Sequence, residues 1–104
     1  MNAQVTRVLI DPTTKVAYGV EFVRDNEKII IRARKEVILS AGAVNSPQIL
    51  MLSGIGPREH LTELKIPVIQ DLRVGENLQD HIGLGGFTFM INQEVSLIQS
   101  RYEN

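Results

Sequence analysis

Apolar and polar positions along this chain change period twice, and each change predicts a new kind of element. From Gln4 to Ile10 (QVTRVLI), apolar Val5, Val8 and Ile10 alternate imperfectly with polar neighbours, and the run is rich in β-branched residues, which predicts a strand. Asp11-Pro12-Thr13-Thr14 then reads as a turn, because Asp bonds its own backbone and Pro fixes φ. Ala17 to Val23 predicts a second strand, with Tyr18, Val20 and Phe22 on one face and Gly19, Glu21 and Val23 on the other. After the polar turn Arg24-Asp25-Asn26-Glu27, Lys28 to Ala33 makes a third strand centred on Ile29-Ile30-Ile31. Strands joined by such short turns form an antiparallel meander, one face of which must be covered.

The second pattern, from Lys35 to Gly56 (KEVILSAGAVNSPQILMLSGIG), organises the rest of the chain. Arg32, Arg34, Lys35 and Glu36 form a charged connection that reads as solvated. Val37-Ile38-Leu39 is a short unbroken apolar run, the pattern of a buried parallel strand, and it ends in the small residues Ser40-Ala41-Gly42-Ala43. Ser46 is placed to cap a helix and Pro47 to occupy its first position, with Ile49-Leu50-Met51-Leu52 inside it and Gly54 as the left-handed residue that closes it. Strand, small-residue turn and helix place Ala41, Gly42 and Ala43 where a ligand approaches the backbone at the carboxyl end of a sheet strand. The alternative is that the small residues only let helix and strand pack closely.

Beyond Gly56, Pro57 opens a second short helix through Glu59, His60, Leu61 and Leu64, with Leu61 and Leu64 on one face and Lys65 at its carboxyl end. Ile66-Pro67-Val68-Ile69 reads as extended, since the residue before Pro avoids the helical region. From Asp71 the chain is loop-like until Phe87-Thr88-Phe89-Met90-Ile91 suggests a last strand, and a polar tail follows with a weak helical pattern at Val95, Ile98 and Tyr102. Gly83-Leu84-Gly85-Gly86 is not a phosphate loop: Thr88 stands where a third Gly is needed, and the run precedes a strand instead of opening a helix. The expected fold class is α/β, more narrowly an α+β piece: a β-meander, a Rossmann-like parallel strand, two short helices and a loop.

Composition removes several classes of function. Lys+Arg 11 against Asp+Glu 12 leaves no broad basic surface for nucleic acid or an acidic membrane. With Cys 0 there are no disulfides, thiolate metal sites or cysteine nucleophiles, and no other metal-ligand spacing occurs. No apolar run approaches the length that spans a bilayer, and Met1-Asn2-Ala3-Gln4 lacks the basic and apolar regions of a signal peptide. Ser46 has no adjacent base to make it a nucleophile, and Glu59 and Glu63, at i and i+4, read as helix surface.

The run Gly42-Ala43-Val44-Asn45-Ser46-Pro47-Gln48-Ile49-Leu50-Met51-Leu52-Ser53-Gly54-Ile55-Gly56 resembles the second signature of the glucose-methanol-choline (GMC) oxidoreductases, flavoenzymes that oxidise alcohols with FAD. Val74-Gly75-Glu76-Asn77-Leu78-Gln79-Asp80-His81 resembles a later stretch of the same family at its expected distance. The likeness covers nearly all of residues 1–104, is nearest to the animal, glucose dehydrogenase-like branch, and implies a partial FAD-binding domain, an internal piece of a longer enzyme. It implies FAD as cofactor and, in the full-length protein, an alcohol or sugar substrate that gives a hydride to the flavin, since no protein side chain accepts one well. By resemblance, the backbone of Val5 meets the adenine, and Ala41-Gly42 ends the strand that passes the dinucleotide. Asn77, Gln79 and Asp80 either hydrogen-bond the cofactor or brace the loop beside it.

Two parts of the family pattern have no match here: the amino-terminal fingerprint that grips the pyrophosphate, and the carboxyl-terminal motif that carries the catalytic histidine. His60 lies on a predicted helix surface, and His81, within the second motif, organises a loop or makes a polar contact near the cofactor; neither fills that vacancy. No residue of this chain is therefore expected to be catalytic. Many family members have Gly where this chain has Lys65, which implies a slightly different helix cap. The alternative to an enzyme fragment is a truncated, non-catalytic binding or interaction module derived from the same fold. Against it stands the Val37–Leu39 strand, which without sheet neighbours would present unpaired backbone and apolar surface to water.

Overall fold

A computed structural model describes residues 2–83 and 85; the strand expected at Phe87–Ile91, the helical pattern at Val95, Ile98 and Tyr102, and Leu84 and Gly86 lie outside the described residues. Strands β1 (Gln4–Ile10), β2 (Ala17–Arg24) and β3 (Glu27–Arg32) form the antiparallel meander in the order β1-β2-β3. Both turns follow from their residues. Asp11 Oδ1 accepts from the backbone N–H groups of Thr13 at 2.9 Å and Thr14 at 2.7 Å, which also holds its carboxyl below the usual carboxylate range, the Thr14 N–H contributing most. Asp25 and Asn26, at φ 51 and 64, supply the two left-handed residues that a tight hairpin between right-twisted strands requires.

Helix α1 (Gly42–Leu52) packs beside β1 and closes at Ser53 and Gly54. Gly54 lies at φ +85, and a Cβ there would stand 2.5 Å from the Pro67 carbonyl oxygen, so the position admits only glycine without movement. The helix begins earlier than Ser46. Its N-cap is Ala41, without a side-chain cap, and Pro47 lies inside the helix. Ser46 Oγ instead accepts from the Ala41 N–H at 2.9 Å, tying the start of the second helical turn back to the N-cap residue. Pro47 is tolerated there because it removes only one early helical hydrogen bond, to the Ala43 carbonyl.

Strand β4 (Ile55–Gly56) leads into helix α2 (Arg58–Glu63) and pairs in parallel with β5 (Gln70–Asp71), a ladder invisible in a stretch read as motif end and loop. Asp71 does more than start a loop: its Oδ1 accepts from the Arg58 N–H at 3.0 Å at the start of α2. Leu61 is fully buried, while Leu64, expected on the same face, is the C-cap and is 56% exposed. The helix ends with Lys65 N–H on the Thr62 carbonyl at 3.0 Å and Ile66 N–H on the Leu61 carbonyl at 2.8 Å, with Lys65 at φ 58.

The expected strand at Val37–Leu39 is the main correction. No ladder forms from Glu36 to Ser40. The segment keeps the alternation of a strand, Val37 and Leu39 half-buried and Ile38 78% exposed, but a parallel strand needs hydrogen-bonding neighbours and none lies beside it among the described residues. The core is correspondingly small: Val8 and Leu9 from β1, Ile49 from α1 and Leu61 from α2.

Candidate functional site

Among the described residues β1 is an edge strand, and α1 runs along its open side. The two are pinned at one end by Ser53, whose Oγ accepts from the Val8 N–H at 2.8 Å and donates to the Ile49 carbonyl at 2.5 Å. Away from that pin they separate into a cleft of about 670 Å³, with Gln4 to Arg7 on one wall and Ala41, Asn45, Gln48 and Leu52 on the other. That volume falls within the range of small-molecule sites. Val5 and Ala41, far apart in sequence, thus line the same cleft.

Gly42 makes the bend between the extended segment ending at Ala41 and α1 at φ +88, where a side chain would be strained, and beyond its chain neighbours and its own helix's backbone no atom lies within 4 Å of where its Cβ would be. Backbone is therefore open to approach at this bend. A smaller apolar cavity of about 210 Å³ lies between the Val37–Ala41 segment and the meander residues Val5, Val8 and Val20.

Asn77 and Gln79 lie elsewhere, in a cleft of about 350 Å³ between the loop Arg73–Gln79 and the α1 residues Ala43, Ser46, Pro47 and Leu50. Helix α1 therefore has Val5 beside one flank and Asn77 with Gln79 beside another. Asp80 lines neither cleft, and its Oδ1 accepts from the N–H of the adjacent His81 at 2.7 Å. His60 and His81 are both exposed. Among the described residues, no group of His, Asp and Glu is arranged to hold a metal ion, and no helix is long and apolar enough to cross a membrane.

Three side chains of the first cleft do not stand out in the sequence. Glu21 is buried, and its carboxylate accepts from Thr6 Oγ1 and Arg7 Nη2, each at 2.8 Å. These contacts, the Thr6 hydroxyl first and the Arg7 guanidinium second, hold the Glu21 carboxyl below the usual carboxylate range against the opposing effect of burial. A glutamate in an alternating strand reads as a solvent-facing position, so composition conceals it. The visible signal is the three-residue interval between Val5 and Val8, which breaks the alternation where Thr6 and Arg7 stand.

Comparison with known proteins points to one family. The profile of the GMC oxidoreductase family matches residues 1–83. The ecdysone oxidase of Bombyx mori is 42% identical over 100 residues, an alignment that covers 96% of this chain and 14% of that protein. The oxygen-dependent choline dehydrogenase of Pseudomonas putida is 49% identical over 102 residues, covering 95% of this chain and 18% of that one. Among solved structures, an FAD-dependent oxidoreductase from Chaetomium thermophilum superposes with a TM-score of 0.64 at 43% identity, over 68% of this chain and 12% of its own. This chain spans less than a fifth of the length of these relatives. Profile, relatives and the two spaced motifs agree, and the chain belongs to the GMC oxidoreductase family, whose cofactor is FAD.

Proposed function

We propose that residues 1–104 are a piece of the FAD-binding domain of a longer oxidoreductase that acts on the CH–OH group of an alcohol or sugar, and that the cleft between β1 and α1 takes the adenosine half of FAD. The observation that carries this reading is that Val5 and Ala41 line one cleft of ligand size, Ala41 standing just before the Gly42–Gly56 run that resembles the family's second signature. The residues present suit such a group: a strand edge with backbone donors and acceptors at Val5, a wall without bulk at Ala41, and an open bend at Gly42.

When bound, FAD supplies the hydride acceptor that side chains lack. The part of this chain is to bind and orient. Val5 offers backbone hydrogen bonds, which is why a residue without polar side-chain chemistry serves. Asn77 and Gln79 offer amide groups from the loop against α1, and Asp80, whose Oδ1 accepts from the adjacent His81 N–H, follows them in the same loop. The pyrophosphate grip and the base that takes the substrate's hydroxyl proton belong to other parts of the longer protein.

The test is the mass of the native polypeptide, captured from its source with an antibody against this segment and read by intact mass spectrometry. The expected species is several times larger than 11.6 kDa and carries FAD. A species of 11.6 kDa without flavin would overturn the enzyme reading and leave a binding module.

A further inference from the structure

In a regular antiparallel strand, the N–H and C=O of each residue point to one side, and the side alternates from residue to residue. The Val8 N–H is donated to Ser53 on α1, so the backbone of Val8 points away from β2, toward the open edge of β1. By simple alternation Val5, three residues earlier, would point the opposite way, into β2. The pairing shows that it does not. Val8 stands opposite Val20, Arg7 opposite Glu21 and Val5 opposite Phe22, so Thr6 is an extra residue on β1. Val20 and Phe22 are two apart, hence equivalent in the ladder, and so are Val8 and Val5. The one-residue bulge turns the N–H and C=O of Val5 onto the open edge, which faces the cleft and Ala41.

What holds the bulge is the residue opposite it. Thr6 Oγ1 donates to one oxygen of the Glu21 carboxylate at 2.8 Å and lies 3.1 Å from the Glu21 carbonyl oxygen, while Arg7 Nη2 donates to the other carboxylate oxygen at 2.8 Å. The Glu21 side chain is 9% exposed. A buried carboxylate that receives one donor from each of two consecutive residues fixes both in the bulged register. A glutamine meets the pair less well, because it carries no charge for the Arg7 guanidinium and its amide nitrogen fits Thr6 Oγ1 only if the hydroxyl turns its proton to the residue-21 carbonyl oxygen.

We infer that Glu21 and Thr6 are positioning residues for the cofactor: they clamp the bulge that presents the backbone of Val5 to the adenosine half of FAD, an inference that rests on the cofactor reading above. In the native polypeptide that carries this segment, the apoprotein is titrated with FAD and the quenching of flavin fluorescence gives the dissociation constant, alongside the melting temperature of the apoprotein. Glu21→Gln and Thr6→Val are expected to weaken FAD binding by about tenfold, the effect of losing one well-aligned hydrogen bond, and Thr6→Ser to stay within about twofold of the wild type. Wild-type binding by Thr6→Val, or a lowered melting temperature with unchanged FAD affinity, would reduce the clamp to a structural pair. If Glu21→Gln does not fold, the contrast between Thr6→Val and Thr6→Ser decides alone. A wild-type polypeptide that binds no FAD overturns the cofactor reading and the clamp with it.

Discussion

The meander and the Glu36–Ser40 segment both carry strand patterns, yet only one of them forms strands. In the meander each strand is paired with its neighbour in sequence, across the Asp11–Lys15 and Asp25–Asn26 turns, so pattern and partner arrive together. Val37-Ile38-Leu39 is a purer apolar run than Gln4–Ile10, and it alternates in burial as a strand does, but Ile38 stands 78% exposed with no ladder beside it. An apolar pattern states that a segment needs cover and leaves open where the cover lies. For a parallel strand the partner lies beyond a crossover of a dozen or more residues. On the reading proposed above, it lies in the rest of the FAD-binding domain.

That difference can be broken by one substitution tested in two contexts. Ile38→Asp is expected to change the stability of the 104-residue polypeptide by no more than about 0.5 kcal/mol, as for a surface site, and to cost about 4 kcal/mol or more in the longer protein, where the side chain enters a sheet. Urea unfolding of both gives the two values; small effects in both would show that Ile38 faces water in either context. Leu61→Ala is the control, because Leu61 is fully buried within the segment itself, and a loss of about 2–5 kcal/mol is expected in both polypeptides. Gly54→Ala follows at about 2–3 kcal/mol, from a left-handed backbone and a collision with the Pro67 carbonyl, read from the same unfolding curves.

How much of this was legible in the sequence divides along the same line. The three meander strands stand within a residue of their expected ends, and Gly54 closes its helix, because turn residues and periodicity act locally. The β4-β5 ladder was not legible: two residues on each strand are too short to carry a period, and their pairing is fixed by Asp71 at the start of α2 and by the Ile69 and Gln70 N–H groups on the Gly54 carbonyl. Ser46 misled because its best local role, a helix cap, lost to a hydrogen bond from Ala41. In the candidate site, Val5 and Ala41 entered through family resemblance, and the cleft brings them together; Asn77 and Gln79 fall on another flank of α1. Glu21 was hidden because a strand pattern records polarity and cannot record that Thr6 and Arg7 satisfy it.

The meander has a pH signature of its own. The folded Glu21 carboxyl titrates below its ordinary value of 4.5, through the Thr6 hydroxyl and Arg7, with Lys28 as a further nearby cation. Its contribution to stability is therefore complete above pH of about 4.5 and is lost as pH falls through the lowered folded value. Hydrogen exchange of the β1–β2 amides against pH should show protection declining below that point in the wild type and a shallower decline in Glu21→Gln. Asp11, lowered by its bonds from Thr14 and Thr13, acts with the same sign, so the slope that remains should fall further in the Glu21→Gln, Asp11→Asn double variant. A slope unchanged by Glu21→Gln would mean that the Thr6 and Arg7 contacts do not persist in solution.

The smallest effect falls at Lys65. Lys65 sits at φ 58 as the residue after the α2 cap, its N–H on Thr62 and the next N–H on Leu61, which is the geometry that a glycine closes without strain. A side chain in this region costs about 1–2 kcal/mol, and part of the relief gained from glycine is offset by the greater freedom of the unfolded chain. Lys65→Gly is thus expected to stabilise the protein by about 0.5–1 kcal/mol, read as a rise in the urea midpoint at constant slope. A fall would show that the lysine side chain contributes more at the carboxyl end of α2 than its backbone costs.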